Sequence, residues 1–423
     1  MSALPVHLLP HTAAVGCDGR LSVGGVDLVD LAEEMGTPLF VYDEEDIRLR
    51  CREALAAWGE GVAYASKAFL CKAMASLVRD EGMWLDVSTG GELAVALAGG
   101  FPAERIVLHG NNKSEEELAC ALRAGVGRIV VDSFDEIARL EKLTGGQVRP
   151  AVLARVTPGV AAHTHQFIST GMDDSKFGFG LNSGDAVQAL EHLRSSSSVQ
   201  LVGIHVHIGS QVFRVDSYAR AVEVVARLFG RFELSELCVG GGLGVPYVEG
   251  ESAPSMGDWA RVVKQACETA GLPPSVRVTA EPGRSIVARS GITLYRVGTI
   301  KELPGIRTYV AVDGGMSDNP RPVLYGSGYE AFLPREVLAE RPRPARVVGK
   351  HCESGDVLVA DACLPADVAV GDVLATPVTG AYGYSMASNY NKVPRPAVAF
   401  VGGGKARLVV RRETHEDLIR LDA

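Results

Sequence analysis

No basic block interrupts the chain, no apolar run approaches the length of a membrane span, and no two cysteines stand as a CxxC pair. Each absence closes a class. The 42 Lys and Arg residues face 51 Asp and Glu, a formal net charge of −9, so no nucleic-acid partner is expected. A bilayer span needs roughly 20 consecutive apolar residues, so no membrane partner is expected. The eight cysteines are scattered, which points to reduced thiols in a cytoplasm and away from a disulfide framework. The first twenty residues, MSALPVHLLPHTAAVGCDGR, lack a basic start followed by an apolar core, so no secretory signal is expected.

What is present is a chain with 47% hydrophobic and 22% charged residues, the composition of a soluble globular protein with a large core. Its 423 residues exceed one ordinary domain. A barrel of roughly 250 residues plus a second domain is a natural split.

From residue 62 a rhythm sets in. Apolar, strand-like runs stand at Val62–Ala65, Trp84–Val87, Ile106–His109, Ile129–Val131, Ala151–Val156, Leu201–Val206, Leu237–Val239 and Val276–Ala280. Helical patterns separate most of them: Cys71–Arg79, Gly91–Ala98, Ser114–Ala124, Phe134–Leu143, Ala186–Leu193, Tyr218–Phe229 and Trp259–Ala270. Strands alternating with helices predict a parallel sheet, and eight such units predict a closed (β/α)8 barrel over residues 40–290. After about residue 290 short strand-like runs dominate, closely punctuated by Gly and Pro. Residues 291–423 therefore read as an all-β domain, and residues 1–39 are expected to join it.

The residues at the ends of the eight strands carry the chemistry. They are Lys67, Asp86 with Ser88, His109 with Asn111, Asp132, Arg155, His207 with Ser210, Gly240-Gly241-Gly242, and Glu281 with Arg284. Barrel sites are built at this face. Singly, each has a plainer explanation. Lys67 suits a surface strand end, Asp132 could cap the next helix, His109 could be a satisfied core histidine, and Glu281 could pair locally with Arg284. As a set they converge on one mouth.

A strand-end lysine can form a Schiff base with a carbonyl group if its surroundings lower its pKa. The glycine run after strand seven and the Glu281-Pro282-Gly283-Arg284 turn after strand eight suit a phosphate, because bare backbone approaches an anion closely. Lysine, glutamate and phosphate cradle together suggest pyridoxal phosphate, with Glu281 on the pyridine nitrogen, His207 against the ring, and Arg155 and Asp86 around it. No metal is expected. The β region adds Asp313 to Pro322 followed by Tyr325, then Lys350 to Asp356 around Cys352, then Gly380 to Asn391. Cys352 alone would be an ordinary buried residue, but His351 and Glu353 beside it can tune a thiol.

These stretches resemble the fold-type III pyridoxal-phosphate decarboxylases, and among them the branch acting on diaminopimelate. The resemblance runs from about residue 20 to about 415. It rests on YASKA at 64–68, DVSTGGEL at 86–93, HGNNK at 109–113, HTHQFISTGMDDSKFGFG at 163–180, HVHIGSQ at 205–211, GGGLG at 240–244, EPGR at 281–284, DGGMSDNPRPVLY at 313–325, CESGD at 352–356 and GAYGYSMASNYN at 380–391. Nothing departs at an expected catalytic position. The resemblance implies a homodimer with active sites shared across its interface, and decarboxylation of meso-2,6-diaminopimelate to L-lysine as the last step of lysine biosynthesis. It implies Lys67 as the cofactor lysine and Cys352 as a proton donor supplied by the neighbouring subunit. His207 is implied against the ring, with Ser210, Gly241, Gly242, Glu281, Gly283 and Arg284 on phosphate and pyridine. Tyr382 is implied to reach cofactor and substrate, with Arg284, Arg321, Tyr325 and Glu353 as substrate binders. A distal carboxylate wants a guanidinium, which Arg321 or Arg284 can supply; a distal ammonium wants an anion, which Glu353 can supply. Two alternatives remain: decarboxylation of ornithine, arginine or carboxynorspermidine, and a non-catalytic, partner-binding regulator. Lys67, Glu281 and Cys352 together speak against the regulator.

Overall fold

The computed structural model describes residues 6–146, 148–160, 171–172 and 174–423. The motif at 163–180 therefore lies outside the described residues at 163–170 and 173. The chain divides into two compact units: Met1–Leu49 with Val245–Ser252 and Ile286–Ala423, and Arg50–Gly244 with Ala253–Ser285.

The second unit is the barrel. Its strands are Ala63–Ala65, Trp84–Val87, Ile106–Leu108, Arg128–Val131, Ala151–Thr157, Gln200–His205, Glu236–Cys238 and Arg277–Thr279, each parallel to its neighbours. Every strand end falls within one residue of the sequence expectation. The ring is completed by two backbone hydrogen bonds from first strand to last, Ala63 N–H to Ala280 O at 3.0 Å and Ala65 N–H to Pro282 O at 3.1 Å. Val107, Val130, Leu153 and Cys238 pack together, as side chains of a small barrel must to fill it. Strands six and seven approach so closely at Gly203 that a Cβ there would sit 2.0 Å from Glu236 O.

The helices between strands start where short polar side chains can take up free N–H groups. Ser114 and Glu117 form a reciprocal capping box on Glu115–Ala124. Ser133 caps Phe134–Thr144 by accepting from Glu136 N–H, so Asp132 is not that helix's cap. Its carboxylate instead accepts from Gly178 N–H, which frees the strand-end position for a different role.

The first unit is built on a mixed sheet. The long strand Gly291–Leu303 is its hub, pairing antiparallel with Leu39–Asp43, Arg307–Val312 and Val373–Pro377. Arg343–Val348 lies parallel to Arg307–Val312, and Ala397–Gly402 parallel to Leu39–Asp43. Leu39, Val41, Ile292, Leu294, Phe332, Ala375 and Val401 share one buried cluster. The boundary expected at residue 40 thus falls inside a strand of this sheet, whose backbone bonds carry the unit to Leu49. Leu21–Val23 does not join it; it forms a separate three-stranded sheet with Ala14–Val15 and Val26–Asp27. The helix Glu44–Trp58 had no counterpart in the sequence reading. Asp43 caps it, accepting from the N–H groups of Glu45 and Asp46.

Candidate active site

In the barrel unit the predicted residues gather at the C-terminal ends of the strands. After strand one the chain makes a single 3₁₀ turn, Ser66–Ala68, which carries Lys67. The EPGR turn packs against that segment. A Cβ at Gly283 would stand 2.9 Å from Ala65 Cβ and 3.3 Å from Ala68 Cβ, so only glycine lets the two approach. The Lys67 ammonium lies 3.6 Å from Asp86 Oδ2. Asp86 is buried, and neither of its oxygens accepts a hydrogen bond among the described residues.

Glu281 is 4% exposed. Its Oε1 lies 2.9 Å from His109 Nε2 and its Oε2 lies 2.9 Å from His205 Nε2. The imidazoles meet edge to face with centroids 4.8 Å apart. Burial pushes the Glu281 carboxyl upward, but the two histidines outweigh it and hold the group well below the usual carboxylate range. Burial pushes His205 down, only partly opposed by Glu281, so His205 is neutral. His109, Asp132's neighbour in the plainer readings, is thus both buried and engaged at the site. His205 was not singled out from the sequence, although the HVH spacing offers a signal: residues two apart on a strand share a face.

His207 is pushed well below its ordinary value by burial and then by the Lys67 cation. Its Nδ1 accepts from Gly241 N–H at 3.2 Å, which leaves the ring neutral with its proton on Nε2. That bond also engages the Gly241 amide, which the sequence reading had left bare for an anion. The glycine run is tightly enclosed: a Cβ at Gly241 would lie 2.2 Å from Glu281 O, and one at Gly242 2.0 Å from Gly209 O. Tyr218 hydroxyl, unforeseen, donates to Gly241 O at 3.0 Å. Arg284 donates to Ser210 Oγ at 3.0 Å, joining two residues expected at the phosphate. Arg155 is buried with its guanidinium 4.3 Å over the Phe177 ring and 3.6 Å from Asp132 Oδ2. Lys113, also unforeseen, is buried against Glu136 at 2.8 Å and donates to Gly110 O, tying down the loop that bears His109.

The β unit holds the remaining candidates. Arg321 opens the short helix Arg321–Tyr325 and is 4% exposed. Its guanidinium lies 4.1 Å over the Tyr247 ring and donates to Tyr329 hydroxyl at 2.5 Å and Ser327 Oγ at 3.1 Å. Among the described residues no carboxylate pairs with it. Tyr325 is half-buried at the end of the helix. Cys352 and Glu353 are exposed. Their loop is anchored from below: Asp356 accepts from His351 N–H at 2.8 Å and Met316 N–H at 2.6 Å, and Asn391 Oδ1 accepts from Cys352 N–H at 3.3 Å. Tyr390 hydroxyl reaches Glu353 Oε2 at 3.4 Å. Tyr382, half-buried, sits at φ +59, a left-handed conformation imposed by the GAYGY turn.

The pyridoxal-binding domain of the pyridoxal-dependent decarboxylases matches residues 44–288. The diaminopimelate decarboxylase of Mycobacterium tuberculosis H37Rv is 48% identical, with 96% of this chain and 95% of that protein aligned. The chain belongs to the diaminopimelate decarboxylase family. The Bacillus subtilis member of that family is also 48% identical over 96% of this chain and 95% of its own. A crystal structure of the M. jannaschii diaminopimelate decarboxylase in complex with L-lysine superposes with a TM-score of 0.90 at 33% identity, covering 98% of both chains. Among the described residues no helix is long and apolar enough to cross a membrane.

The residues present fit the cofactor of this family. A strand-end amine, a buried anion on the same mouth, a neutral histidine between them in sequence and an Arg284–Ser210 pair beside the enclosed glycine run supply one group for each part of pyridoxal phosphate. His109, His205 and Glu281 also bring their ligand atoms within 4.8 Å of one another, as a cation site would. The 2.9 Å contacts are accounted for by N–H donation to the carboxylate, with no ion required.

Proposed function

We propose that this chain decarboxylates meso-2,6-diaminopimelate to L-lysine and carbon dioxide with pyridoxal 5'-phosphate, as the last step of lysine biosynthesis. The observation that carries the reading is the presence, at strand ends of one barrel mouth, of both Lys67 and a buried Glu281 carboxylate kept anionic. Lys67 would hold the cofactor's aldehyde, and Glu281 would serve its pyridine nitrogen. Arg284, Ser210, Gly242 and Gly283 serve the phosphate side, and Gly241 serves by fixing the His207 ring. Asp86 and Arg155 complete the polar surround. The bound cofactor supplies an electron sink for the pair left at Cα when carbon dioxide departs.

The protein's own groups then act on proton and substrate. Cys352 donates the proton that Cα needs, as a placed acid. Tyr382 reaches both cofactor and substrate. Arg321, a buried cation with no carboxylate partner among the described residues, favours a substrate with a second carboxylate, which ornithine lacks. Glu353 takes the distal ammonium, and Tyr325 is a further substrate contact. We further propose a homodimer in which Cys352 and Glu353 serve the partner subunit's cofactor, and a cytoplasmic setting, which eight cysteines held in no disulfide support. The test is release of L-lysine and carbon dioxide from meso-diaminopimelate, with ornithine and arginine as controls. Equal or greater turnover of ornithine would overturn the substrate assignment.

A further inference from the structure

The histidines on Glu281 carry an inference that rests on the reading above, that Glu281 faces the cofactor's pyridine nitrogen. A buried carboxylate facing a pyridine can share one proton with it in two ways. Either the ring is protonated and the glutamate is an anion, or the ring is neutral and the glutamate is an acid. Only the first form makes the ring a strong electron sink. In a dry site the neutral pair is favoured unless something stabilises the anion.

Here each carboxylate oxygen has its own donor, His109 Nε2 at one and His205 Nε2 at the other, both at 2.9 Å. His205 Nδ1 is buried with no partner among the described residues. A buried ring nitrogen is left unbonded at less cost as a lone pair than as an N–H, so the proton is on Nε2 and aimed at Glu281. The edge-to-face contact of the two rings fixes both donors against rotation. Two N–H donors, one at each oxygen, stabilise the anion that the pyridinium needs. The other charged or titratable groups around this cluster are Asp86, 3.8 Å from His109 Nε2, together with Arg155, His207 and Cys238.

We propose that His109 and His205 are positioning residues that clamp Glu281 as an anion, so that the shared proton resides on the cofactor's pyridine nitrogen. The test uses the full-length enzyme loaded with pyridoxal 5'-phosphate labelled with 15N in the ring, whose nitrogen resonance reports ring protonation directly. The parent enzyme is expected at the protonated position. His205→Phe and His109→Phe remove one donor each and should move the resonance toward that of an unprotonated pyridine. His205→Gln and His109→Gln place an amide N–H near the lost Nε2 and should hold the parental position. His205→Asn has the same amide on a shorter arm and should behave as Phe does, so the Gln–Asn pair decides the matter if a Phe variant fails to fold. Donor-lacking variants that fold, retain cofactor and keep the parental resonance would overturn the clamp. A parent enzyme that binds no cofactor, or whose resonance ignores Glu281→Gln, would instead sink the reading on which the clamp rests.

Discussion

In the barrel unit the charged groups answer one another. Glu281 has two histidines, Lys67 has Asp86 within 3.6 Å, Arg155 has Asp132, and Arg284 has Ser210. Among the candidate site residues of the β unit they do not. Arg321 is buried between tyrosines with no carboxylate among the described residues, while Cys352 and Glu353 stand exposed on an anchored loop. A buried charge without a counter-charge is costly to keep. On the proposed function, the barrel unit would be organised around the cofactor, with residues that fix one another beforehand. The β unit would keep groups whose partners come from outside, a substrate anion for Arg321 and a substrate carbon for Cys352. Lesions in the barrel unit should then remove chemistry outright, and lesions in the β unit should be graded by what each partner contributed.

The largest effect is expected at Lys67. Lys67→Ala should remove the cofactor's visible absorbance and depress turnover by a factor on the order of 10⁵, the scale on which covalent holding and proximity act. A variant turning over near the parental rate would erase the distinction between the units.

Cys352→Ala comes next, with kcat expected to fall by roughly 10²- to 10⁴-fold, the usual worth of a placed acid. The absorbance should be unchanged, since nothing in the barrel unit is touched. Co-expressed with Lys67→Ala, it should recover activity toward roughly a quarter of parental, because half of randomly formed two-fold dimers would carry one intact site. Recovery absent from purified mixed dimers would mean that Cys352 serves its own subunit or is not the acid.

Arg321→Ala should lower kcat/KM for diaminopimelate by roughly 10- to 150-fold, the loss of one charge-assisted bond at about 1.5–3 kcal/mol, and should spare ornithine. Glu353→Gln should act more weakly, since Glu353 is exposed and water competes for its partner. Steady-state kinetics on both substrates reads the two together. An unchanged preference in Arg321→Ala would show that its burial serves the fold and not a substrate.

How much of this was legible in the sequence differs between the units for a physical reason. The eight barrel strands could be read to within a residue because apolar runs and helical periods alternate locally. Their C-terminal residues could be listed because a strand's end is a sequence position. The contacts that give those residues meaning are long-range. Glu281 meets His109 across 172 residues and His205 across 76, and no local period marks such a meeting. Tyr247, on the short segment Val245–Ser252 that interrupts the barrel sequence and belongs to the β unit, stacks on Arg321 of that same unit, which no spacing announces. The parallel pairings within the β sheet were hidden likewise, because short β runs do not disclose their order.

The smallest effect is one of stability, and it sharpens the comparison from the β side. Asp318 lies in the same loop as Arg321, buried, accepting from Tyr295 hydroxyl at 2.7 Å and Gly315 N–H at 2.9 Å. Burial raises its carboxyl to about 7, and the Tyr295 and Gly315 donors only partly oppose the rise. The sign follows from proton counting. Between the ordinary aspartate range and about 7 the folded chain holds a proton on Asp318 that the unfolded chain has released. Its contribution is therefore fully present below the unfolded value and is lost as pH rises through the folded one, with a slope of at most about 1.4 kcal/mol per pH unit. Asp356, also raised by burial, adds in the same direction. Glu413, held down to about 2 chiefly by Arg395 against the opposing pull of burial, has the opposite sign and loses its contribution only as pH falls below the carboxylate range. Urea unfolding followed by tryptophan fluorescence from about pH 5 to 8 separates the two. Asp318→Asn should flatten the decline in that window. Tyr295→Phe, by removing a donor to the anion, should move the decline to higher pH. If the slope of the parent is already flat, or if Asp318→Asn leaves it unaltered, Asp318 is ionised in the fold as Glu281 is, and the contrast between the two units narrows to Arg321 alone.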